Sequence, residues 1–291
     1  MMRAAQARGH AIWAAEQTHL HWVKNSVAAA ATRLSLTDND EDWYRAHETE
    51  VRPLKGFGAV LMRKDPPFDL EYVASTWMLS AAAREGAKVF NAPDAIRDHN
   101  EKLGILEFAS FVAPTLVTRE PERIQAFIDE HRDVVVKRLD VMGGENIFRV
   151  RVDDPNRNVI VEIMAQRGAR MVMAQRYIPE IKAGDHRVLL IDGTPVPHCL
   201  ARIPKAGESR GNLAAGASAV AKPLSARQQE IAKALGPILA KRGLLLVGLD
   251  IIGDWLTEVN VTSPTCMREI QDQTKFDVAS MFVTALEARM K

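Results

Sequence analysis

The sequence predicts an α/β (α+β) protein with mixed sheets, divided into two unequal lobes. Three observations carry this. At 291 residues the chain exceeds what one hydrophobic core usually fills, because single cores split beyond roughly 250 to 300 residues. Residues 59–90 read as strand, helix, strand, a βαβ unit of the kind that builds parallel sheets. After residue 95 the alternation gives way to strands and helices in irregular order, so the domain boundary falls there, with residues 1–95 in one domain and 96–291 in the other.

The opening residues read as a helix closed by Gly9, followed by a strand from His10 to Ala15 and a hairpin within His19–Leu36 that turns at Lys24-Asn25-Ser26. The run Ala59-Val60-Leu61-Met62 is a buried strand, Leu70–Arg84 a helix stopped by Gly86, and Lys88-Val89-Phe90 a short strand. A doubly wound sheet should not open on a helix, which normally connects two parallel strands; the pattern therefore predicts an N-terminally truncated domain without its first strand. Helices follow around Ala95–Leu103 and Glu120–His131, then the strand Val134-Val135-Val136-Lys137. Further strands are expected near Met171–Gln175, Val188–Ile191, Cys199–Ile203, Leu244–Ile252 and Leu256–Val259. A helix at Ala226–Lys241 and a last one ending at Met290 complete the list, and Gly207–Ala221 reads as a long loop.

Composition narrows the function. A formal net charge of +1, with 47% hydrophobic and 26% charged residues, provides no basic field for nucleic acid. The two cysteines, Cys199 and Cys266, form no CxxC pair and signal neither zinc nor a disulfide framework. No stretch approaches ~20 apolar residues, and the charged N-terminus lacks a signal-peptide core. The expectation is a cytoplasmic protein without membrane contact.

Chemistry concentrates in a few segments. Asp140–Asn146 and Gly207–Gly216 are rich in glycine, which lets backbone N–H groups approach phosphate oxygens, yet neither matches GxxxxGK[ST] or a GxGxxG at a strand-to-helix junction. Most such loops are plain turns. Lys137 ends a run of three valines, where a cation leaving the core needs an anionic partner; Lys102, in Asn100-Glu101-Lys102-Leu103, could approach a phosphate from a second direction, although a surface lysine is the commoner case. Asp250 interrupts an apolar strand, and Glu258 and Asn260 share one face of the next. Oxygen donors without histidine or cysteine suit Mg²⁺, while Asp250 alone would sooner pair with arginine. Arg187, Arg202 and Arg210 could grip a phosphoryl group bidentately.

Seven strings together resemble one family. They are Met62–Asp69 (MRKDPPFD), Asn100–Leu103 (NEKL), Asp140–Gly144 (DVMGG), Cys199–Pro204 (CLARIP), Arg210–Gly216 (RGNLAAG), Gly248–Gly253 (GLDIIG) and Glu258–Pro264 (EVNVTSP). In this order they are similar to the bacterial glutathione synthetases, from the first residues to the C-terminal helix. The resemblance implies the ATP-grasp fold, in which two lobes clamp ATP, and synthesis of glutathione from γ-L-glutamyl-L-cysteine, glycine and ATP. It implies that Lys102 and Lys137, with Gly143, Gly144 and Asp185, contact the nucleotide, and that Gln175, Arg176, Tyr177 and Ile178 line the adenine pocket. Asp250, Glu258 and Asn260 would hold Mg²⁺, with Mn²⁺ as the alternative. Arg63, Lys64, Asp65, Asn212 and Ser263 would surround the peptide substrate, Arg187, Arg202 and Arg210 the transferred phosphate, and Gly207–Ala221 would form the lid. The family also implies a homotetramer.

Three departures stand out. Members of the family normally begin with a strand and a loop that precede the first residue here, which points to a misplaced start or a fragment. Arg138 replaces the usual proline, and Gly216-Ala217-Ser218-Ala219 carries less glycine and arginine than expected. Two rivals follow: another ATP-grasp ligase, such as a D-alanine–D-alanine or glutamate ligase, or a nucleotide-binding protein without catalysis.

Overall fold

A computed structural model describes residues 1–140, 146–205 and 218–291. Helix α1 (Met2–Ala7) leads into β1 (Ile12–Ala14), β2 (Leu20–Val23), β3 (Ser26–Leu36) and β4 (Tyr44–Pro53), an antiparallel sheet in which β4 lies on one side of β3 and β1 and β2 share the other. The β2–β3 hairpin turns through Lys24 and Asn25, both at positive φ, as the sequence predicts. Strand β4 is not expected from the sequence. Nearly all its residues are exposed on both faces, so no apolar alternation marks it; the backbone ladder to β3 holds it in place.

The βαβ unit forms as expected. Strands β5 (Val60–Leu61) and β6 (Val89–Phe90) pair in parallel around α2 (Leu70–Arg84), whose N-cap Asp69 accepts from the Tyr72 N–H. The parallel pairing is only two residues long, and the antiparallel sheet supplies the rest of this half. Helix α3 (Pro93–Asp98) is shorter than the expected Ala95–Leu103 helix, and a 3₁₀ segment, Leu103–Phe111, follows.

Beyond it, β7 (Thr115–Thr118), α4 (Pro121–His131), β8 (Asp133–Arg138), β9 (Ile147–Arg151), α5 (Arg157–Ala165) and β10 (Val172–Arg176) make a sheet of order β7-β10-β8-β9. Helices α4 and α5 cover it through Ile124, Ile128, Val161 and Met164, packed on Val134, Val136 and Val172. The largest sheet has order β13-β12-β11-β14-β15 and is wholly antiparallel, from β11 (Asp185–Ile191), β12 (Thr194–Ile203), β13 (Ser218–Pro223), β14 (Leu246–Ile252) and β15 (Trp255–Asn260). The end of the expected lid segment is thus strand: residues 218–221 belong to β13. Residues 206–217, with Arg210 and Asn212, and residues 141–145, with Gly143 and Gly144, lie outside the described residues.

Helix α6 (Ala226–Lys241) packs on one face of this sheet, with Ile231, Leu235 and Leu239 against Val188, Leu190 and Leu249. Helices α7 (Met267–Thr274) and α8 (Val278–Met290) cover the other face through Ile270, Phe282 and Val283. A Ser225–Gln228 capping box starts α6. Its Gly236 is required by close approach, since a Cβ there would stand 2.1 Å from the Gly193 carbonyl oxygen in the β11–β12 turn. The two halves are joined at Asn91. Its side-chain amide donates to the Leu246 and Val261 carbonyls, both at 2.8 Å, and its oxygen accepts from the Leu246 N–H at 2.9 Å. Among the described residues no helix is long and apolar enough to cross a membrane.

Candidate functional site

Strand register builds the site. Asp185 lies opposite Arg202, Arg187 opposite Asp250, and Asp250 opposite Glu258, so a row of charges crosses β12, β11, β14 and β15 on one sheet face. Arg187 donates Nε to Asp250 Oδ1 at 2.5 Å and a terminal nitrogen to Oδ2 at 3.1 Å. Arg202 reaches Asp185 Oδ2 at 2.6 Å and Asp250 Oδ2 at 2.9 Å. Against the penalty of burial, Arg187 and Arg202 hold the Asp250 carboxyl well below the usual carboxylate range. Asp185 goes the other way. Burial outweighs Arg202 and, with Asp250 and Glu258 nearby, pushes its pKa up to about 7, and its Oδ1 is buried without a hydrogen-bond partner.

The two lysines arrive from separate elements. Lys102 precedes the 3₁₀ segment and Lys137 sits on β8, yet their Nζ atoms lie 3.6 and 3.7 Å from the same Glu258 oxygen. Both are buried. Burial lowers the Lys137 pKa despite the opposing charge of Glu258, and Nζ donates to the Thr257 carbonyl at 3.3 Å. Four cations thus face three carboxylates, and the local excess is positive. That balance favours a polyphosphate.

The segment after β5 closes the site from the other half of the chain. Arg63 donates to the Pro264 carbonyl at 2.8 Å, Asp65 accepts from the Ser263 hydroxyl, and exposed Lys64 donates to the Asp65 carbonyl. Gln175 lies one residue before the end of β10, its amide donating to the Thr115 hydroxyl at 3.0 Å. Arg176, Tyr177 and the buried Ile178 continue from it, the Tyr177 N–H donating to the Asp133 carbonyl and its ring lying under Arg149. The structure therefore brings together Lys102, Lys137, Asp185, Arg187, Arg202, Asp250 and Glu258, and sets Arg63, Asp65 and Ser263 in one contact group. The sequence reading assigns no role to Glu101, whose carboxylate clasps the end of β15 beside them. Its signal was position alone, next to Lys102.

Mg²⁺ or Mn²⁺ was expected on Asp250, Glu258 and Asn260. Asn260 lies opposite Gly248, and its amide nitrogen donates to that carbonyl at 3.2 Å. Both Asp250 oxygens are engaged by arginine, and among the described residues no three His, Cys, Asp or Glu side chains are grouped to hold a metal ion. The donor chemistry still fits Mg²⁺, which binds through one or two carboxylates and completes its shell with water and phosphate oxygens. The Asp185 Oδ1 atom, buried without a hydrogen-bond partner, leaves one oxygen donor of the row unused.

Comparison with known proteins decides the family. Residues 1–97 match the family model for the prokaryotic glutathione synthetase N-terminal domain, and residues 101–275 match that for its ATP-grasp domain. The chain belongs to the prokaryotic glutathione synthetases. A glutathione synthetase of Ralstonia nicotianae is 58% identical over 287 residues, covering 99% of this chain and 89% of that protein. One of Nitrosomonas europaea is 54% identical over 290 residues, covering 99% and 91%, and one of Pseudomonas aeruginosa is 50% identical over 291 residues, covering 100% and 92%. Two solved structures share the fold at 18% identity. The ATP-grasp ligase PsnB complexed with minimal precursor, Mg and ADP has a TM-score of 0.60 over 99% of this chain and 92% of its own. The D-cycloserine synthetase DcsG has 0.64 over 82% and 86%. The α/β class and the ATP-grasp fold expected from the sequence are thus present in this family member, whereas the expected mixed sheets are not: among the described residues each sheet is wholly antiparallel except the parallel β5–β6 pair.

Proposed function

We propose that the protein is an ATP-dependent ligase that joins γ-L-glutamyl-L-cysteine to glycine, giving glutathione, ADP and phosphate, with residues 1–95 as the substrate-binding domain and 96–291 as the ATP-grasp domain. The observation that carries the reading is the contact of Arg63 and Asp65 with Pro264 and Ser263, which brings the substrate segment against the chain leaving β15, the strand whose Glu258 meets Lys102 and Lys137.

In this reading the γ-phosphoryl group of ATP passes to the cysteinyl carboxylate, breaking its bond to the ADP oxygen and forming an acyl phosphate. The glycine amine then attacks that carbonyl carbon, phosphate leaves with the bonding pair, and the amine sheds a proton. Lys102 and Lys137 neutralise phosphate oxygens, and Gln175–Ile178 seats the adenine. Arg187 and Arg202 stabilise charge on the transferred group in a site the sheet excludes from water. Asp250, Glu258 and Asn260 would hold Mg²⁺, which supplies Lewis-acid neutralisation of the phosphates when bound. Arg210, Asn212, Gly143 and Gly144 keep their sequence-based assignments to phosphate and substrate, and the expected lid is restricted to the part of the segment before β13, which begins at Ser218. The same reading takes the protein as a cytoplasmic homo-oligomer, for which sedimentation is the test.

Phosphate release from ATP tests it. The expected result is turnover only when Mg²⁺, γ-glutamylcysteine and glycine are all present, and its loss with a chelator. Release that ignores the dipeptide would overturn the substrate assignment.

A further inference from the structure

The Asn100-Glu101-Lys102 segment contains more than its lysine. Glu101 Oε1 accepts three hydrogen bonds from the chain leaving β15: from the Val261 N–H at 3.1 Å, the Thr262 N–H at 3.2 Å and the Thr262 hydroxyl at 2.7 Å. The Glu101 backbone carbonyl accepts from the Val259 N–H at 2.9 Å. One residue therefore fixes Val259, Val261 and Thr262 through four hydrogen bonds, on both sides of Asn260. The next residues are Ser263, bonded to Asp65, and Pro264, whose carbonyl holds Arg63.

Asn100 does a separate job. Its Oδ1 accepts from the N–H groups of Lys102 and Leu103 at 3.1 and 3.0 Å, and its amide nitrogen donates to the Leu139 carbonyl at 3.0 Å. Position of the Lys102 backbone is thus set by Asn100, and position of Thr262 and Ser263 by the Glu101 side chain. Adjacent residues serve opposite sides of the reaction.

We propose that Glu101 is a positioning residue for the dipeptide, holding Ser263 where its hydroxyl and Asp65 meet the substrate. This rests on the reading of Ser263 and Asp65 as substrate contacts. Three hydrogen bonds converging on one Oε1 atom restrict the loop more than a single bond would, because each adds a separate geometric constraint. Misplacing a substrate-binding group by about 1 Å costs on the order of a hundredfold in rate. The geometry therefore predicts a split between substrates rather than a general loss.

The experiment is steady-state kinetics of wild type, E101A, E101Q, T262V and N100A with ATP and γ-glutamylcysteine varied in turn. Wild type is measured first: if it shows no dependence on the dipeptide, the substrate reading fails before Glu101 is at issue. Given that dependence, E101A raises KM for γ-glutamylcysteine roughly 10- to 100-fold while KM for ATP stays within about threefold. E101Q keeps an acceptor oxygen and recovers most of the loss, and N100A shows the reverse split. An unchanged dipeptide KM in E101A, or equal rises for both substrates, overturns the proposal. If E101A does not fold, T262V carries the decision, since it is nearly isosteric and deletes only the 2.7 Å bond: a raised dipeptide KM supports the role and an unchanged one overturns it.

Discussion

Arg187 and Asp250 face each other across adjacent antiparallel strands, both side chains at least 93% buried, with Nε 2.5 Å from Oδ1. Arg202 shares the same carboxylate, so two guanidinium groups depend on one anion. Replacing Asp250 with asparagine leaves two buried cations with one remaining carboxylate partner, Asp185, and should destabilise the fold by about 3 to 5 kcal/mol. Chemical unfolding at neutral pH measures it. The sign with pH follows from the depressed folded pKa of Asp250: its contribution is full above the ordinary carboxylate range and is lost as pH falls through the lower folded value. Wild type and D250N should therefore converge in acid.

Asp185 gives the opposite dependence. Its folded pKa of about 7 lies above its unfolded value, so its contribution is full below pH ~4 and disappears as pH rises through 7. D185N has no proton to lose. The difference in unfolding free energy between D185N and wild type should change between pH ~4 and ~7 in the direction that favours D185N at higher pH. A constant difference across that range would refute the raised pKa.

Gly236→Ala sets two effects against each other. Alanine gains about 1 kcal/mol of helix propensity in the interior of α6. Its Cβ would stand 2.1 Å from the Gly193 carbonyl oxygen, and both partners are backbone, so relief requires moving the helix or the turn. Overpacking of this kind costs about 1 to 3 kcal/mol or more, and a net loss of stability is expected in urea titration. A stabilised variant would show that α6 and the β11–β12 turn are farther apart.

Asn91→Leu removes one donor-acceptor set from three backbone groups, the Leu246 N–H and the Leu246 and Val261 carbonyls. Each buried group left unsatisfied costs about 1 to 3 kcal/mol, so a drop of about 3 kcal/mol or more is expected. Amide exchange at Leu246 should accelerate in the variant. Protection equal to wild type would mean that the N–H finds another acceptor.

Much of the architecture was legible in the sequence because it follows local rules. The Lys24-Asn25 turn, the α2 helix between Asp69 and Gly86, and the apolar strands of the large sheet announce themselves by turn residues, caps and alternation. What escaped lacked such marks. Strand β4 is exposed on both faces, α5 and α7 are short, and β9 is a five-residue strand broken by two arginines.

The sequence by itself determined the family, singled out Lys102 and Lys137 as candidate phosphate contacts, and placed Glu258 and Asn260 on one strand face, since side-chain alternation is a property of one strand. Only the tertiary structure decided which partners those groups meet. Asp250 finds Arg187 63 positions away, and Glu101 finds Thr262 161 positions away, because strand neighbours are chosen by sheet register and core packing. Spacing along a chain says nothing about which strand lies beside it. For that reason a residue read as a metal ligand emerges also as the anchor of two arginines, and a carboxylate with no motif of its own holds the end of β15.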